Sequence, residues 1–525
     1  MKKLKNDISN SKENKKPNEY QKNILNKSIL FLIIIVTSGL LIRFLYIPIN
    51  IPITYDGFTG YYLYALDISI LGNLPNYTLS QSGWGEFLSL FFMTFDSQNL
   101  IDQMNLQRIT SAVLSGLTII PIYFITRKFF SEYYSLIAAV IFAFEPRIIL
   151  NSILGISEPL YIFAISLGIL FFLSSNKKWI YCSFSFFAWA TIIRPEGLFW
   201  FIGFSIIYFV QFRKKSKDLL KYIIPLLIFL LILSPFVYHR MQVEETDAIV
   251  GRIMIEVSNY DNNQLKTDGD NLVSYGPNWF SGIKLFGWTL IPIFIIFIPI
   301  GLIPIFRHFH YPNYLLIIGS LIISMPILYS TSIAPDTRYV LPLFPIFCII
   351  SVFGIKWICD NFLNKKIISL IIVIGIISSS IVFLEIKKMD FTEDKEAYEI
   401  SQIIINNIKG VNEGPSLIKY LPIVELENKW PIKQTSGEYE KEYDIKIIST
   451  SEYDTLEELL IAEESNITHL IVDKNKNNPQ YILDLLNNGG KYPFLLKEFD
   501  SKEFNYNYMT KIYKIDYNIF KEIRN

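Results

Sequence analysis

Long apolar runs separated by short polar breaks dominate the chain. "SILFLIIIVTSGLLIRFLYIPI" opens the series, and comparable runs recur as far as "KKIISLIIVIGIISSSIVFLEI" before shorter, mixed patterns take over. A helix that crosses the hydrocarbon core needs about 20 largely apolar residues. That rule predicts spanning helices near 28–48, 106–126, 134–150, 156–174, 179–193, 197–211, 219–238, 284–306, 312–330, 339–359 and 365–385, about eleven in all. Two of the runs, 179–193 and 197–211, are short for a full crossing, which points to tilted, interfacial or partly broken helices. After residue 386 the pattern changes. "EAYEISQIIINNI", "TLEELLIAEES" and "PQYILDLLNN" read as helices, and "DIKIIST", "THLIVDK", "PFLLKEF" and "YMTKIYKIDY" as strands, so 386–525 is expected to form a small α/β domain.

The polar breaks give an independent test of this threading, because short cytoplasmic loops are enriched in Lys and Arg. Every second connection is basic: "TRKFF", "SSNKK", "FRKKSKD", "FRHFH" and "NFLNKK". The first 27 residues carry eight lysines and read as a basic cytoplasmic tail ahead of an uncleaved first helix. An odd number of spans then puts 386–525 on the extracytoplasmic side. The expected layout is a basic tail (1–27), a membrane body (28–385) with an outer segment at 49–105 holding interfacial helices, and the extracytoplasmic domain.

Composition agrees with a multi-pass protein of the cell membrane: 51% of residues are hydrophobic and 18% charged, against about 25% charged in a typical soluble domain. Lys+Arg and Asp+Glu both number 48, which gives no reason to expect a nucleic-acid partner. Cys182, Cys348 and Cys359 have neither metal-type nor disulfide-type spacing. His308 and His310 fall on the cytoplasmic side, and no DxD-type acidic cluster stands at the outer face, so no divalent metal is expected. Outer sequons begin at Asn76 and Asn466.

The threading sorts the membrane-proximal charges by side. Asp56, Glu145, Arg147, Glu158, Arg194, Glu196, Asp336 and Arg338 all fall at the outer boundary. A carboxylate there is tolerated where it tops a helix lining a water-accessible cavity. Asp56, followed by Tyr61, Tyr62 and Tyr64, suits either a helix cap beside an aromatic belt or a sugar or lipid-headgroup site. Glu158, next to Pro159, suits a helix first turn as well as chemistry. Glu145 and Arg147 are spaced to pair with each other or to line the same cavity. Arg194 in "RPEG" and Arg338 in "APDTRYVLPLFP" suit a phosphate, through the planar guanidinium fork, or local pairs with Glu196 and Asp336.

Taken together, Asp56 after the first span, "RITSAVLSGLTIIPIYFITRKFF", "AVIFAFEP", "SEPLY", "RPEG" and "RYVLPLFP" resemble the GT-C superfamily of polytopic glycosyltransferases over roughly 28–385. The nearest branch is similar to protein O-mannosyltransferases and aminoarabinose transferases, including archaeal members with a C-terminal extracytoplasmic domain. The oligosaccharyltransferase branch fits less well, because its "WWDYG"-type signature is absent and only "NKWPIKQ" stands in the C-terminal region. The resemblance implies a mostly α, polytopic membrane fold with a lipid-phosphate-linked sugar as donor substrate rather than a certain cofactor. The implied activity is sugar transfer from a polyprenyl or dolichyl phosphate to a protein, glycan or lipid acceptor on the outer face. It also implies Asp56 as general base, Glu158 as a second acid shaping the acceptor site, and Arg338, aided by Arg194, at the donor phosphate; Tyr61, Glu145, Arg147 and Asp336 are candidate cavity residues. Many members carry paired early acids, whereas "YDGF" has glycine after Asp56, leaving the base role to Asp56 alone or shared with Glu158. A transporter or lipid-linked-sugar flippase is the rival expectation. Transporters commonly place their charges near the bilayer midplane, whereas these gather at one face.

Overall fold

The computed structural model describes residues 19–525 except 55–56, 80, 96, 98, 213–218, 245–278, 308–310, 334–335, 408–412, 415–419, 434, 436–445, 448–452, 463–466, 474–478, 489–490 and 525. The N-terminal tail as far as residue 18, Asp56, His308, His310 and Asn466 therefore lie outside the described residues. Asn76 lies in an exposed bend.

All eleven apolar stretches carry helix. The first is α1 (Glu19–Tyr46), followed by a π-helical turn (Phe58–Tyr62) that runs into α2 (Leu63–Leu71), and by α3 (Ser82–Phe92). The second and third stretches hold α4 (Leu100–Leu117) with α5 (Ile119–Thr126), and α6 (Glu132–Ala143) with α7 (Pro146–Ser152). Next come α8 (Glu158–Phe172), α9 (Lys177–Ile193), α10 (Gly197–Phe212) and α11 (Ile223–Glu244). The last four stretches hold α12 (Trp279–Thr289) with α13 (Phe294–Arg307), then α14 (Tyr311–Ile333), α15 (Phe344–Asp360) and α16 (Lys365–Ile386).

Among the described residues, five helices are long and apolar enough to cross a membrane, or up to seven if each of two bent pairs counts as one span. The 284–306 run, expected as one helix, is instead two helices bent by 97°, and α6 and α7 meet at 52°. Proline explains both breaks: Pro292 and Pro146 lack the N–H that would continue the ladder. The two runs read as short hold α9 and α10, with 17 and 16 residues, and α8, expected over 156–174, has only 15.

Between helices in lipid, burial of apolar surface drives little association, and close packing does the work. α13 and α15 show how. A Cβ on Gly301 would overlap the carbonyl oxygen of Ile350, and one on Gly354 would lie 2.8 Å from the carbonyl oxygen of Phe297. The two backbones touch. Gly301→Ala is expected to cost about 1–3 kcal/mol of stability, read as a lower midpoint in thermal unfolding of the detergent-solubilised protein. Gly60→Ala, where nothing lies within 4 Å of the added carbon, should leave the midpoint unchanged. Around α8–α10 the filler is aromatic: Phe187 stacks on Phe204 at 4.7 Å, and Phe172 meets Phe204 edge-on at 4.8 Å.

Beyond α16 lie α17 (Thr392–Asn407), β1 (Glu413–Gly414), α18 (Leu421–Asn428), β2 (Lys446–Ile447), α19 (Leu456–Ala462), β3 (His469–Asp473), α20 (Gln480–Asn488), β4 (Leu495–Asp500), β5 (Thr510–Ile515) and α21 (Tyr517–Arg524). The three expected helices and four expected strands are all present, while β1, α18 and α21 come in addition. β3 and β4 both pair antiparallel with the central β5, and β1 pairs parallel with β2. One sheet face buries Leu470, Val472 and Tyr513 against Leu459, Ile482 and Phe520. Ile471 and Ile512, on the opposite face by alternation, join a core continuous with the membrane body through Tyr398, Tyr420 and Leu100. The Trp430 indole also donates to the Ser97 carbonyl at 3.3 Å.

Candidate active site

Glu158 begins α8, and Arg194 ends α9 in extended backbone. The antiparallel packing of these two helices brings the side chains together across 36 positions of sequence. Arg194 Nη1 donates to Glu158 Oε1 at 2.6 Å, and Nη2 donates to Glu196 Oε1 at 3.1 Å. The Glu158 and Arg194 side chains are 2% and 7% exposed, so little solvent screens the pair. Glu158 Oε2 is buried with no hydrogen-bond partner among the described residues. The guanidinium also lies 5.5 Å from the centre of the Tyr339 ring.

Tyr61 completes one side of this group. Its hydroxyl donates to Gln81 Oε1 at 2.6 Å and lies 3.0 Å from Ser157 Oγ. Burial first, and the Glu158 charge next, push the phenol up to about 12, with Arg194 among the opposing influences; it stays protonated at neutral pH. Tyr62 and Tyr64, read as belt residues, are buried instead: Tyr62 donates to Gln103 and Tyr64 packs edge-on against Tyr77. A neighbouring carboxyl, Glu86 on α3, is pushed up to about 7 by burial, against a Ser82 hydrogen bond and the Arg240 charge.

Arg338 stands in a short 3-10 turn and pairs with Asp336 through Nε, as the local spacing suggested. It shares a narrow open cleft with Arg194, Glu196, Tyr161, Trp200 and Tyr339. Ile323 lines both this cleft and a wholly apolar groove walled by Phe129, Ile169, Phe172, Ile207 and Ile346. A polar rim of paired charges thus meets an apolar trough.

Glu145 and Arg147 behave differently from the expectation that they pair or share the Glu158 cavity. Glu145 caps α7 through the Arg147 backbone N–H at 3.5 Å, and its Oε2 is buried without a hydrogen-bond partner. The Arg147 guanidinium turns toward α12 and the following turn, donating to the carbonyls of Trp288 at 2.7 Å and Ile291 at 3.1 Å, and lies over the Trp288 and Phe383 rings. The two side chains thus take different hydrogen-bond partners, although their charges still act on each other.

The flanks of Asp56 are held by residues that the sequence reading missed. Thr54 accepts the Gly57 N–H through its hydroxyl at 3.3 Å and the Phe58 N–H through its carbonyl at 2.9 Å. Arg108 donates to the carbonyls of Ile51 at 2.8 Å and Pro52 at 2.6 Å. The Tyr420 hydroxyl donates to Asp394 at 2.8 Å, and burial with that carboxylate holds the phenol far above its ordinary value. Gln107 donates to the carbonyls of Gly57 at 3.2 Å and Gly155 at 2.6 Å. The signal for these two was present: "LQRIT" sets two large polar residues inside an apolar run.

Among the described residues, no three His, Cys, Asp or Glu side chains come together as a metal site.

Residues 88–239 match the family described as dolichyl-phosphate-mannose-protein mannosyltransferase, and that segment contains Glu158, Arg194 and Glu196. The architecture matches solved membrane glycosyltransferases: ArnT from Cupriavidus metallidurans bound to undecaprenyl phosphate, at TM-score 0.57 over 92% of this chain and 97% of that one. The chain has the GT-C fold. The GT-C match extends to the archaeal oligosaccharyltransferase AglB from Archaeoglobus fulgidus with an inhibitory peptide and a dolichol-phosphate, at TM-score 0.58 over 85% of this chain and 69% of that one. The Archaeoglobus enzyme with Zn and sulfate superposes at TM-score 0.58, covering 84% and 68%. Identity is 12% in all three, and the scores do not separate the two GT-C branches. No curated protein matches the sequence.

Proposed function

We propose that the chain is a membrane glycosyltransferase that moves a sugar from a polyprenyl or dolichyl phosphate to an acceptor hydroxyl at the extracytoplasmic face. The observation that carries this reading is that Ile323 lines both the polar cleft holding Arg338 and Tyr339 and the apolar groove. A prenyl phosphate has the same polarity: an anionic head on an apolar chain. The family match and the lipid phosphates held by ArnT and AglB support the same donor class.

In this mechanism Asp56 takes the proton of the acceptor hydroxyl as its oxygen attacks the anomeric carbon. The bond from that carbon to the phosphate oxygen breaks, and the lipid phosphate leaves with the electron pair. Arg338 receives the departing charge. Arg194 is already bonded to Glu158 and Glu196, which suits it to hold Glu158 rather than to clamp phosphate. Glu158 keeps Oε2 free of bonds and offers it to the acceptor hydroxyl. One displacement inverts the sugar's configuration.

The test is incubation of membranes carrying the protein with a panel of radiolabelled prenyl-phosphate monosaccharides. Transfer of label to an acceptor, with inverted anomeric configuration in the product, is the expected result. Flipping of the intact lipid-linked sugar without any transfer overturns the reading. Arg338→Ala is expected to raise the donor KM about tenfold or more, and Arg338→Lys to recover part of it, because lysine keeps the charge but loses the fork.

A further inference from the structure

Resting on the proposed function, we infer that Gln107 is a positioning residue that fixes the Asp56 segment relative to the turn leading into Glu158. Asp56 and Glu158 lie about a hundred residues apart in sequence. A shared acceptor site between them needs one rigid connection, and Gln107 supplies it. Its Nε2 donates both to Gly57, the residue after Asp56, and to Gly155, three residues before Glu158. Both partners are carbonyl oxygens, so only the amino end of the amide can face them.

The surroundings are built for this bridge. Gln107 is fully buried, and its own Oε1 has no hydrogen-bond partner among the described residues, an unfavourable arrangement that accompanies the two bonds at the other end. Gly155 has φ of +72°, and a Cβ there would lie 3.2 Å from Gln107 Cγ, so glycine permits both the turn and the close approach. Trp84 Nε1 donates a second bond to the Gly155 carbonyl at 2.9 Å, holding that side alone. The π-helical turn that Gly57 leads into is itself a conformation found chiefly at functional sites.

The test compares Gln107→Met, which keeps length but loses the donor, Gln107→Asn, which is too short to reach both carbonyls, and Trp84→Phe. Q107M is expected to lower kcat by about a hundredfold, as for a misplacement of about 1 Å, with the donor KM unchanged and the acid limb of the kcat/KM pH profile displaced. Q107N should lose less, and W84F less again. A defect in folding alone would reduce active protein equally at every pH and leave the limb in place. A second readout does not depend on activity. In a background lacking Cys182, Cys348 and Cys359, Gly60→Cys is labelled with an impermeant maleimide, and adding Q107M should speed labelling several-fold as the turn is released. Wild-type kcat and pH limb, or an unchanged labelling rate, overturns the inference. So does failure of both Gln107 variants to accumulate as monodisperse protein while W84F accumulates, because Gln107 then serves folding. If the parent protein transfers no sugar yet labelling still accelerates, the proposed function falls and the bridge stands.

Discussion

Asp56→Asn is expected to abolish measurable transfer, lowering kcat by about a hundredfold to ten-thousandfold while donor binding persists. That range is what one positioned general base contributes. Asparagine keeps the size and hydrogen-bonding reach of aspartate, and it removes only the capacity to take a proton. Single-turnover transfer from a purified prenyl-phosphate sugar, beside a binding measurement with the same lipid, separates the two effects. Full activity in the variant would remove Asp56 from the mechanism. Loss of transfer together with loss of donor binding would assign it to the donor site.

The second large effect concerns Glu158 and Arg194. Arg194→Met leaves a buried carboxylate without its guanidinium, and breaking such a pair from one side costs about 3–5 kcal/mol. Glu158 has no other hydrogen-bond partner among the described residues, so nothing local takes over. Glu196, with its side chain 25% exposed, has water to fall back on. Denaturant titration of the solubilised protein should show Arg194→Met as strongly destabilised. Glu158→Leu combined with Arg194→Met should recover most of the loss, because a buried ion pair is exchangeable for apolar packing. The double variant should still lack transfer. Recovery of both stability and transfer would reduce the pair to scaffolding.

What the sequence made legible follows the range of the interactions involved. Helices in the membrane body are written locally, in runs long enough to read directly. Pairs within two residues, Arg194 with Glu196 and Arg338 with Asp336, were also visible, because the backbone leaves such neighbours little choice. The Glu158–Arg194 bond was not visible as a pair: it depends on how α8 lies against α9, and no local pattern encodes that. For Glu145 and Arg147 the spacing showed their nearness but not their hydrogen-bond partners, because Glu145 becomes a cap and the Arg147 guanidinium turns to the Trp288 and Ile291 carbonyls. The α12–α13 bend hid within an unbroken apolar run whose composition reads the same straight or folded. Gln107 was passed over because an uncharged amide raises no electrostatic flag, although its burial makes it more telling than many surface charges.

The glycine contacts between α13 and α15 carry a mechanical consequence. Where main chain rests on main chain, there are no rotamers to rearrange, and the two segments can only travel as one rod. Compliance in the bundle must reside in seams built from side chains, such as that between α10 and α14. There Gly203 and Gly319 face isoleucine tips at 3.7 and 3.3 Å rather than backbone. That seam borders the apolar trough, so the wall nearest a lipid's path is also the one with slack to yield.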